Sequence, residues 1–244
     1  METTRVRSSS GEAVASPDAS WRDLYRAGGV SAFLYIALLI VPIVLIFTTP
    51  QPPISGGAAT LEYIASNKLV YITELVLFLA PSVVAMIFFL ALYMALKHVN
   101  KSLAAIGALI AIASQIIGLA YNSSPQSLNG ALVLLSDQYM AATSAIQRAA
   151  YATAAESLIA MTNAVNASGI LFSIGILIIS IVMLKGVFHK GIAYLGVITG
   201  VIAILSETFR PFISFGYIVF FILEVIWLIA VGWKLFRLGE KVEV

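Results

Sequence analysis

The chain contains six long stretches that are almost entirely apolar, and these restrict its fold more than any other feature. They cover residues 29–48, 69–96, 103–121, 169–188, 192–209 and 214–234. A helix needs about 20 mostly apolar residues to cross the hydrocarbon core of a bilayer. Only 11% of the residues are charged, against about 25% in soluble domains. The sequence therefore predicts an all-α polytopic membrane protein in which six transmembrane helices form one domain, residues 21–244.

The first 20 residues differ from the rest of the chain. They are rich in Ser, Ala, Gly and Glu and have no apolar periodicity, which is typical of a disordered segment. The apolar stretch that follows is longer than the core of a signal peptide, and no small-residue cleavage site follows it. We therefore expect residues 1–20 to be a disordered cytoplasmic tail and the first apolar stretch to remain as a membrane helix.

The basic residues indicate the orientation of the six helices. With the N-terminus in the cytoplasm, eleven Lys and Arg residues lie on the inner side, and only Lys68, Arg148 and Arg210 lie on the outer side. The opposite orientation would invert this bias and violate the positive-inside rule. An even number of spans also puts both termini on one side. Both termini are therefore predicted to be cytoplasmic.

The connection between the third and fourth spans, residues 122–168, is too long and too regular to be a simple loop. From Ser136 onward it is rich in alanine and favours helix. Tyr151, Ala154 and Leu158 recur at helical spacing. We expect two helical pieces on the extracytoplasmic face of the bundle, the second leading into the fourth span. They could act as a lid over a cavity or as a structural cap.

Small residues at helical spacing indicate where helices approach closely. Such stripes let backbones pack tightly in lipid, and here they favour packing within the bundle over a dimer seam. Pro42 and Pro81 are expected to kink the first and second helices. The third helix carries Gly107, Ala111, Ser114 and Gly118, and the fifth carries Gly196, Gly200 and Ala203.

A few polar side chains interrupt the apolar stretches, and all lie in the outer half of the bilayer or at its midplane. Glu224 is the deepest, about 15 Å below the outer edge. Burying a carboxyl in lipid is costly, so such a group suggests function by default, although it can also form hydrogen bonds that hold helices together. One outward-facing pocket could bring these groups together beneath two arginines. The candidate pocket residues are Glu74, Gln115, Glu207, Glu224, Arg148 and Arg210.

Two functions from different classes fit these observations. The first is a membrane protein that binds or moves a small molecule, a lipid or a proton through the pocket. The alternative is a structural or accessory subunit that packs against a larger membrane complex or a second copy of itself. Glu207 and Arg210 are three residues apart and can pair on one helical face, which favours a structural role for that pair.

The sequence carries no motif for catalysis or for a cofactor. It has no cysteine, and it contains no phosphate-binding loop, zinc-protease motif or hydrolase nucleophile motif. His98 and His189 lie at cytoplasmic helix ends, where haem ligands are not expected. The net charge of +2 does not suggest a nucleic-acid partner. We therefore expect a protein that is not an enzyme, has no cofactor, and has the lipid bilayer as its main partner.

Several short motifs together resemble a known family. They are residues 21–29 (WRxxYRxGG), 89–96 with 100–104 (FLALYxAL, then NxSLA), 135–143 (LSDQYxAAT) and 191–196 (GxAYxG). They are similar to a prokaryotic multi-pass membrane family described as a domain of unknown function, number 4386. The resemblance implies a six-helix fold in the plasma membrane of a bacterium or archaeon. It implies no activity and no catalytic residues.

Overall fold

The structure is a computed structural model that describes residues 18–48, 53, 55–77, 79–121, 128–164, 167–209 and 216–240. These residues form ten α-helices, preceded by a short 3-10 helix, and no strand is found among them. Most of the predicted tail, residues 1–20, lies outside the described residues. The helices are α1 Arg22–Thr48, α2 Gly57–Ser66, α3 Lys68–Leu77, α4 Leu79–Leu96, α5 Lys101–Tyr121, α6 Leu128–Ala141, α7 Ala145–Ala164, α8 Ala167–Met183, α9 Lys190–Thr208 and α10 Gly216–Glu240.

Five helical segments are long and apolar enough to cross a membrane, by length and composition. They are Arg22–Ile40, Lys68–Leu96, Lys101–Tyr121, Lys190–Thr208 and Ile218–Glu240, and Ser168–Met183 is a shorter apolar helix. The chain is thus an all-helical membrane protein, as its sequence predicts. Two helix limits differ from the predicted spans. The helix α1 begins at Arg22 rather than at residue 29, and α10 continues to Glu240 rather than ending at residue 234.

Six helices form a closed ring. Each contacts its neighbour in the order α1, α4, α5, α8, α9 and α10, and α10 packs back against α1 to complete the ring. The core between them is apolar and holds Tyr25, Phe88, Phe89, Trp227 and other fully buried side chains. We call these six helices the bundle.

Glycine residues set the close approaches within the bundle. A Cβ on Gly175 of α8 would lie 2.6 Å from the Cβ of Ala111 on α5. One on Gly200 of α9 would lie 2.8 Å from the Cβ of Leu177 on α8. Gly107 packs against Ile178 of α8 in the same way. These contacts fit the prediction for Gly107 and Ala111 on the third predicted span and for Gly200 on the fifth, whereas Gly118 of the third span has no atom within 4 Å of its Cβ position.

The resemblance motif at residues 21–29 has a structural role at the start of α1. The Tyr25 side chain is fully buried, and its hydroxyl donates to the Met94 carbonyl of α4 at 3.4 Å. A Cβ on Gly28 would overlap Ala91 of α4, and one on Gly29 would lie 2.8 Å from the Gly232 carbonyl of α10. The two glycines therefore allow α1 to pack closely between α4 and α10.

A second, smaller core lies outside the ring. Helices α2, α6 and α7 pack together, and we call them the cap. Its core includes Leu61, Ile64, Leu132, Tyr139 and Ala155. Residues 122–168, for which two helical pieces on the extracytoplasmic face were predicted, contain α6 and α7, and the side of the membrane on which they lie stays a prediction. The helix α2 was not predicted, because its ten residues lie in a connection that is too short and too polar to give a transmembrane signal.

The second predicted span consists of two helices, α3 and α4, on either side of Phe78, which lies outside the described residues. The Tyr71 hydroxyl of α3 donates to the Asn129 carbonyl of α6 at 3.1 Å. Tyr71 and Leu75 also belong to the cap core, so α3 joins the cap to the bundle.

Candidate functional site

Glu224 lies on α10 and is 4% exposed. Its Oε1 is buried and has no hydrogen-bond partner among the described residues. Tyr35 of α1 lies close enough for the two groups to interact electrostatically. A buried carboxyl oxygen without a partner carries the full cost of losing its water. Such an exception in a native structure calls for an explanation, which can be an absent water, ion or ligand.

Tyr35 also lines a cavity of about 240 Å³ between α1, α4, α5 and α8, which is widely open at the surface of the bundle. The wall combines hydroxyl and amide groups with aromatic and aliphatic side chains, which is the composition of many small-molecule sites. The complete set is Tyr35, Leu39, Pro81, Ser82, Ser114, Gln115, Gly118, Ser168, Gly169 and Phe172.

The space exists because several wall residues are small. A Cβ built on Gly118 would meet no atom within 4 Å, in contrast to the crowded glycines elsewhere in the bundle. Ser82 and Ser114 are buried and bring hydroxyl groups where larger apolar side chains would fill the gap. The cavity lies where α5 ends and α8 begins, which is the end of the bundle from which the chain leaves for α6 and α7.

Gln115 is the cavity residue with the greatest hydrogen-bonding capacity, since its amide offers two donors and one acceptor oxygen. Its Nε2 lies 3.4 Å from Ser114 Oγ, and Ser114 Oγ donates to the Ala111 carbonyl at 2.6 Å. The contact from Gln115 is long for a hydrogen bond. The amide can therefore exchange it for a bond to a bound molecule.

Glu207 of α9 lies directly behind this wall. Its Oε1 is 2.5 Å from the position that a Cβ on Gly169 would take, and Gly169 is a cavity residue. Any larger side chain at Gly169 would collide with the carboxyl group. The structure thus places Gln115 in the cavity wall, Glu207 behind it, and Glu224 within electrostatic range of Tyr35.

Two other predicted pocket residues, Glu74 and Arg148, lie away from the cavity. Glu74 is on α3, where its charge acts on the hydroxyls of Tyr63 and Tyr71, on the side of the molecule that joins the cap. Arg148 is exposed on α7, stacks over the Tyr139 ring at 5.9 Å and donates through Nε to the Ala142 carbonyl at 3.3 Å. Arg210 lies outside the described residues. Neither Glu74 nor Glu224 is among the residues that line the cavity.

A comparison with family models identifies the relatives of this chain. The family described as "Domain of unknown function (DUF4386)" matches residues 24–239. The chain belongs to this family. The resemblance drawn from the four motifs is confirmed. No curated protein and no solved structure matches the chain.

The DUF4386 match begins in α1 and ends in α10, so it takes in the cap as well as the bundle. The cap helices are therefore part of the family domain and not an addition to it. Within the described part of this DUF4386 protein, no group of three or more His, Asp or Glu side chains is arranged to hold a metal ion.

Sequence reasoning missed several cavity residues, notably Tyr35, Ser82 and Phe172. Tyr35 and Ser82 could have been noticed because each is a polar residue within an apolar stretch. Phe172 gave no such signal, since an aromatic residue in an apolar helix is ordinary. It is the packing of its ring against Phe89, with centroids 5.7 Å apart, that places it at the cavity.

Proposed function

We propose that this chain is a membrane-embedded binding protein that takes a small polar molecule or the polar part of a lipid into the cavity at Gln115. The observation that carries the proposal is the cavity itself, a space of about 240 Å³ with hydroxyl and amide groups in an otherwise apolar bundle. Polar groups at membrane depth are costly unless they serve a purpose. Binding, rather than catalysis, is the purpose that the amide of Gln115 and the hydroxyls of Tyr35, Ser82, Ser114 and Ser168 support best.

The proposed arrangement in the membrane has six spans, formed by α1, α3 with α4, α5, α8, α9 and α10. The helix α8 has 17 residues and is about 26 Å long, close to the hydrocarbon thickness of about 30 Å. It packs between α5 and α9 in the closed ring, which supports a span. Six spans put both termini on one side, and the positive-inside rule makes that side the cytoplasm of a prokaryotic cell.

In this orientation the cap lies outside the cell, and the cavity lies at the same end of the bundle. Gln115 is six positions from the end of α5 at Tyr121, a depth of about 9 Å. A ligand would then enter from the outer leaflet or the external medium beneath the cap. The shallow depth of Gln115 supports an outward-facing site. In this proposal the cap acts as its lid.

The lining favours a neutral or cationic ligand that forms hydrogen bonds. Ser82, Ser114 and Gln115 can each donate or accept. The carboxyl group of Glu207 lies behind the wall at Gly169, and its negative charge would oppose an anion. Glu224 also supplies a protonatable group next to Tyr35, so a proton could be taken up or released as the ligand binds.

Filling the cavity tests this function. The open space at Gly118 admits a large side chain, so Gly118→Phe should occupy the cavity, while Gly118→Ala should leave most of it free. Both purified proteins would be exposed to a lipid and metabolite extract of the expression host and examined by native mass spectrometry. We expect a bound molecule in the wild type and in Gly118→Ala, and none in Gly118→Phe.

The same experiment separates binding from the alternative function. An accessory or structural subunit has no need of the cavity, so wild type and both variants would carry the same molecules or none. Co-purification of a membrane partner or a second copy, equal in all three proteins, would then favour the accessory role and contradict the binding proposal.

A further inference from the structure

A second polar feature of the bundle lies at the C-terminal end of α10, and it shares no lining residue with the cavity. A groove of about 280 Å³ runs between the start of α9 and the end of α10. Its lining divides by chemistry, with Ile192, Ala230 and Leu238 apolar and Lys234 and Arg237 basic. Trp233 completes the wall.

The basic side chains in this groove are oriented but poorly neutralised. The Arg237 guanidinium stacks over the Trp233 ring at 5.0 Å. Its contact with Glu240 is 3.9 Å long and about half exposed on both sides, so it neutralises little of the charge. Lys234 has no acidic partner within 4 Å in the described part of the chain. The groove therefore presents positive charge that is available to an anion.

The apolar side of the groove continues into a surface that faces lipid. Ile226 and Ile229 on α10 are 49% and 46% exposed, and Ile198 on α9 is 51% exposed. Trp233 is 53% exposed where this apolar surface meets the basic residues. Tryptophan at such a boundary is typical of the interface between hydrocarbon and headgroups. The groove thus leads from an apolar surface to two cations within about one helical turn.

We propose that this groove is a binding site for one anionic phospholipid. The phosphate would lie between Lys234 and Arg237, and an acyl chain would follow Ile192, Ala230 and the apolar surface beyond. Basic pockets between transmembrane helices bind anionic headgroups in this way. The start of α9 adds its helix dipole, which also favours negative charge. A free anion would use the cations but leave the apolar floor uncovered, so the groove fits a lipid.

This site is independent of the cavity at Gln115, because the two share no lining residue. Failure of one proposal therefore leaves the other standing. The lipid site would also tie the end of α10 to one leaflet, while the cavity lies toward the other end of the bundle.

Quenching of Trp233 fluorescence provides the test. The experiment uses the full chain with Trp21→Phe, so that the fully buried Trp227 is the only other tryptophan. The protein is reconstituted with brominated phosphatidylglycerol or with brominated phosphatidylcholine. We expect phosphatidylglycerol to quench at about tenfold lower mole fraction. Equal quenching by the two lipids would overturn the proposal.

A matched pair of variants separates this groove from the general basic character of that end. Lys234→Gln with Arg237→Gln should remove the preference for phosphatidylglycerol, whereas Lys101→Gln with Lys185→Gln, an equal loss of charge at two exposed lysines, should keep it. Loss of the preference in both would mean diffuse attraction and would contradict a specific site.

A third variant keeps the charge and removes the space. Ala230→Phe fills the groove floor and should abolish the preference even with both cations present. Retention of the preference in this variant would overturn the lipid proposal. If inorganic phosphate by itself displaces the lipid from the groove, the groove is a simple anion site. If the oligomeric state changes while the quenching does not, the groove is a contact between two copies. Either result would also overturn it.

Discussion

The bundle and the cap are both helical, but different contacts hold them together. In the bundle, glycines such as Gly175 and Gly200 bring backbones into contact, and some buried polar atoms, including Ser180 Oγ and Trp227 Nε1, have no hydrogen-bond partner among the described residues. In the cap, side chains form bonds between helices. Ser136 Oγ donates to the Leu61 carbonyl at 2.6 Å, and the Tyr139 hydroxyl donates to Glu62 at 3.0 Å.

This difference follows from the solvent that each region meets. Lipid is as apolar as the side chains, so helices in it associate through close van der Waals packing. The cap also uses ionic groups. The bond to the Glu62 carboxylate raises the pKa of Tyr139, and Lys68 of α3 contacts both carboxylate oxygens of Asp137 on α6 at 2.7 Å. A polar group without a partner is thus a stronger sign of function in the bundle than in the cap.

The largest effect should come from crowding a glycine contact in the bundle. In Gly175→Leu the new side chain meets the Cβ and backbone of Ala111 at 2.6 to 3.0 Å, so α5 and α8 must separate. We expect a loss of about 3 kcal/mol of stability, measured by thermal unfolding in detergent. The control is Gly118→Leu, which enters open space. Equal melting temperatures for the two variants would contradict glycine packing as the basis of the bundle.

The same kind of change in the cap should act locally. A Cβ on Gly57 of α2 would overlap the Ala152 carbonyl of α7, so Gly57→Leu should detach α2 at a cost of about 2 kcal/mol. Limited proteolysis should then cut the cap faster, while the thermal transition of the bundle stays the same. Ala59→Leu, at an exposed position on the same helix, is the control. A lowered bundle transition in Gly57→Leu would mean that the two regions unfold as one unit.

A smaller effect is expected from a single hydrogen bond in the cap. Ser136→Ala leaves the Leu61 carbonyl without its 2.6 Å donor, and cap stability should fall by about 1 kcal/mol. Hydrogen exchange of α2 amides would report the change. Ser157→Ala should have little effect, because the Ser157 hydroxyl bonds within its own helix, to Thr153. No difference between these two serines would show that hydrogen bonds between helices add little to the cap.

The smallest effect should come from the exposed ion pair of Lys68 and Asp137. Both side chains are about half exposed, so Lys68→Gln should cost only about 0.5 kcal/mol. Raising the salt concentration should reduce the difference from the wild type. A double-mutant cycle with Asp137→Asn would isolate the pair. A coupling that does not change with salt would indicate that the pair is more shielded from water than its exposure suggests.

Sequence and structure agree best where the apolar signal is long. Spans such as 103–121 and 192–209 correspond closely to α5 and α9, because about 20 apolar residues leave few alternatives. The prediction is weaker for short amphipathic elements, and α2 was not predicted.

The candidate site shows the same contrast. Depth along a helix can be calculated from residue number, and it placed both Glu74 and Gln115 in the outer half of the bilayer. Rotation about the helix axis decides which neighbour each one meets, and apolar stretches without a polar face do not specify it. The structure directs Gln115 into the cavity and Glu74 toward Tyr63 and Tyr71.

The sequence by itself determined that this is an all-helical membrane protein and a member of its family, because long apolar runs can satisfy their backbone hydrogen bonds in lipid only as helices. Only the tertiary structure decided which polar groups come together. The closed ring places Tyr35 in the cavity wall and within electrostatic range of Glu224, and it places Glu207 behind Gly169. These contacts join residues far apart in the chain, and they depend on how glycines and bulky side chains fit when the helices pack.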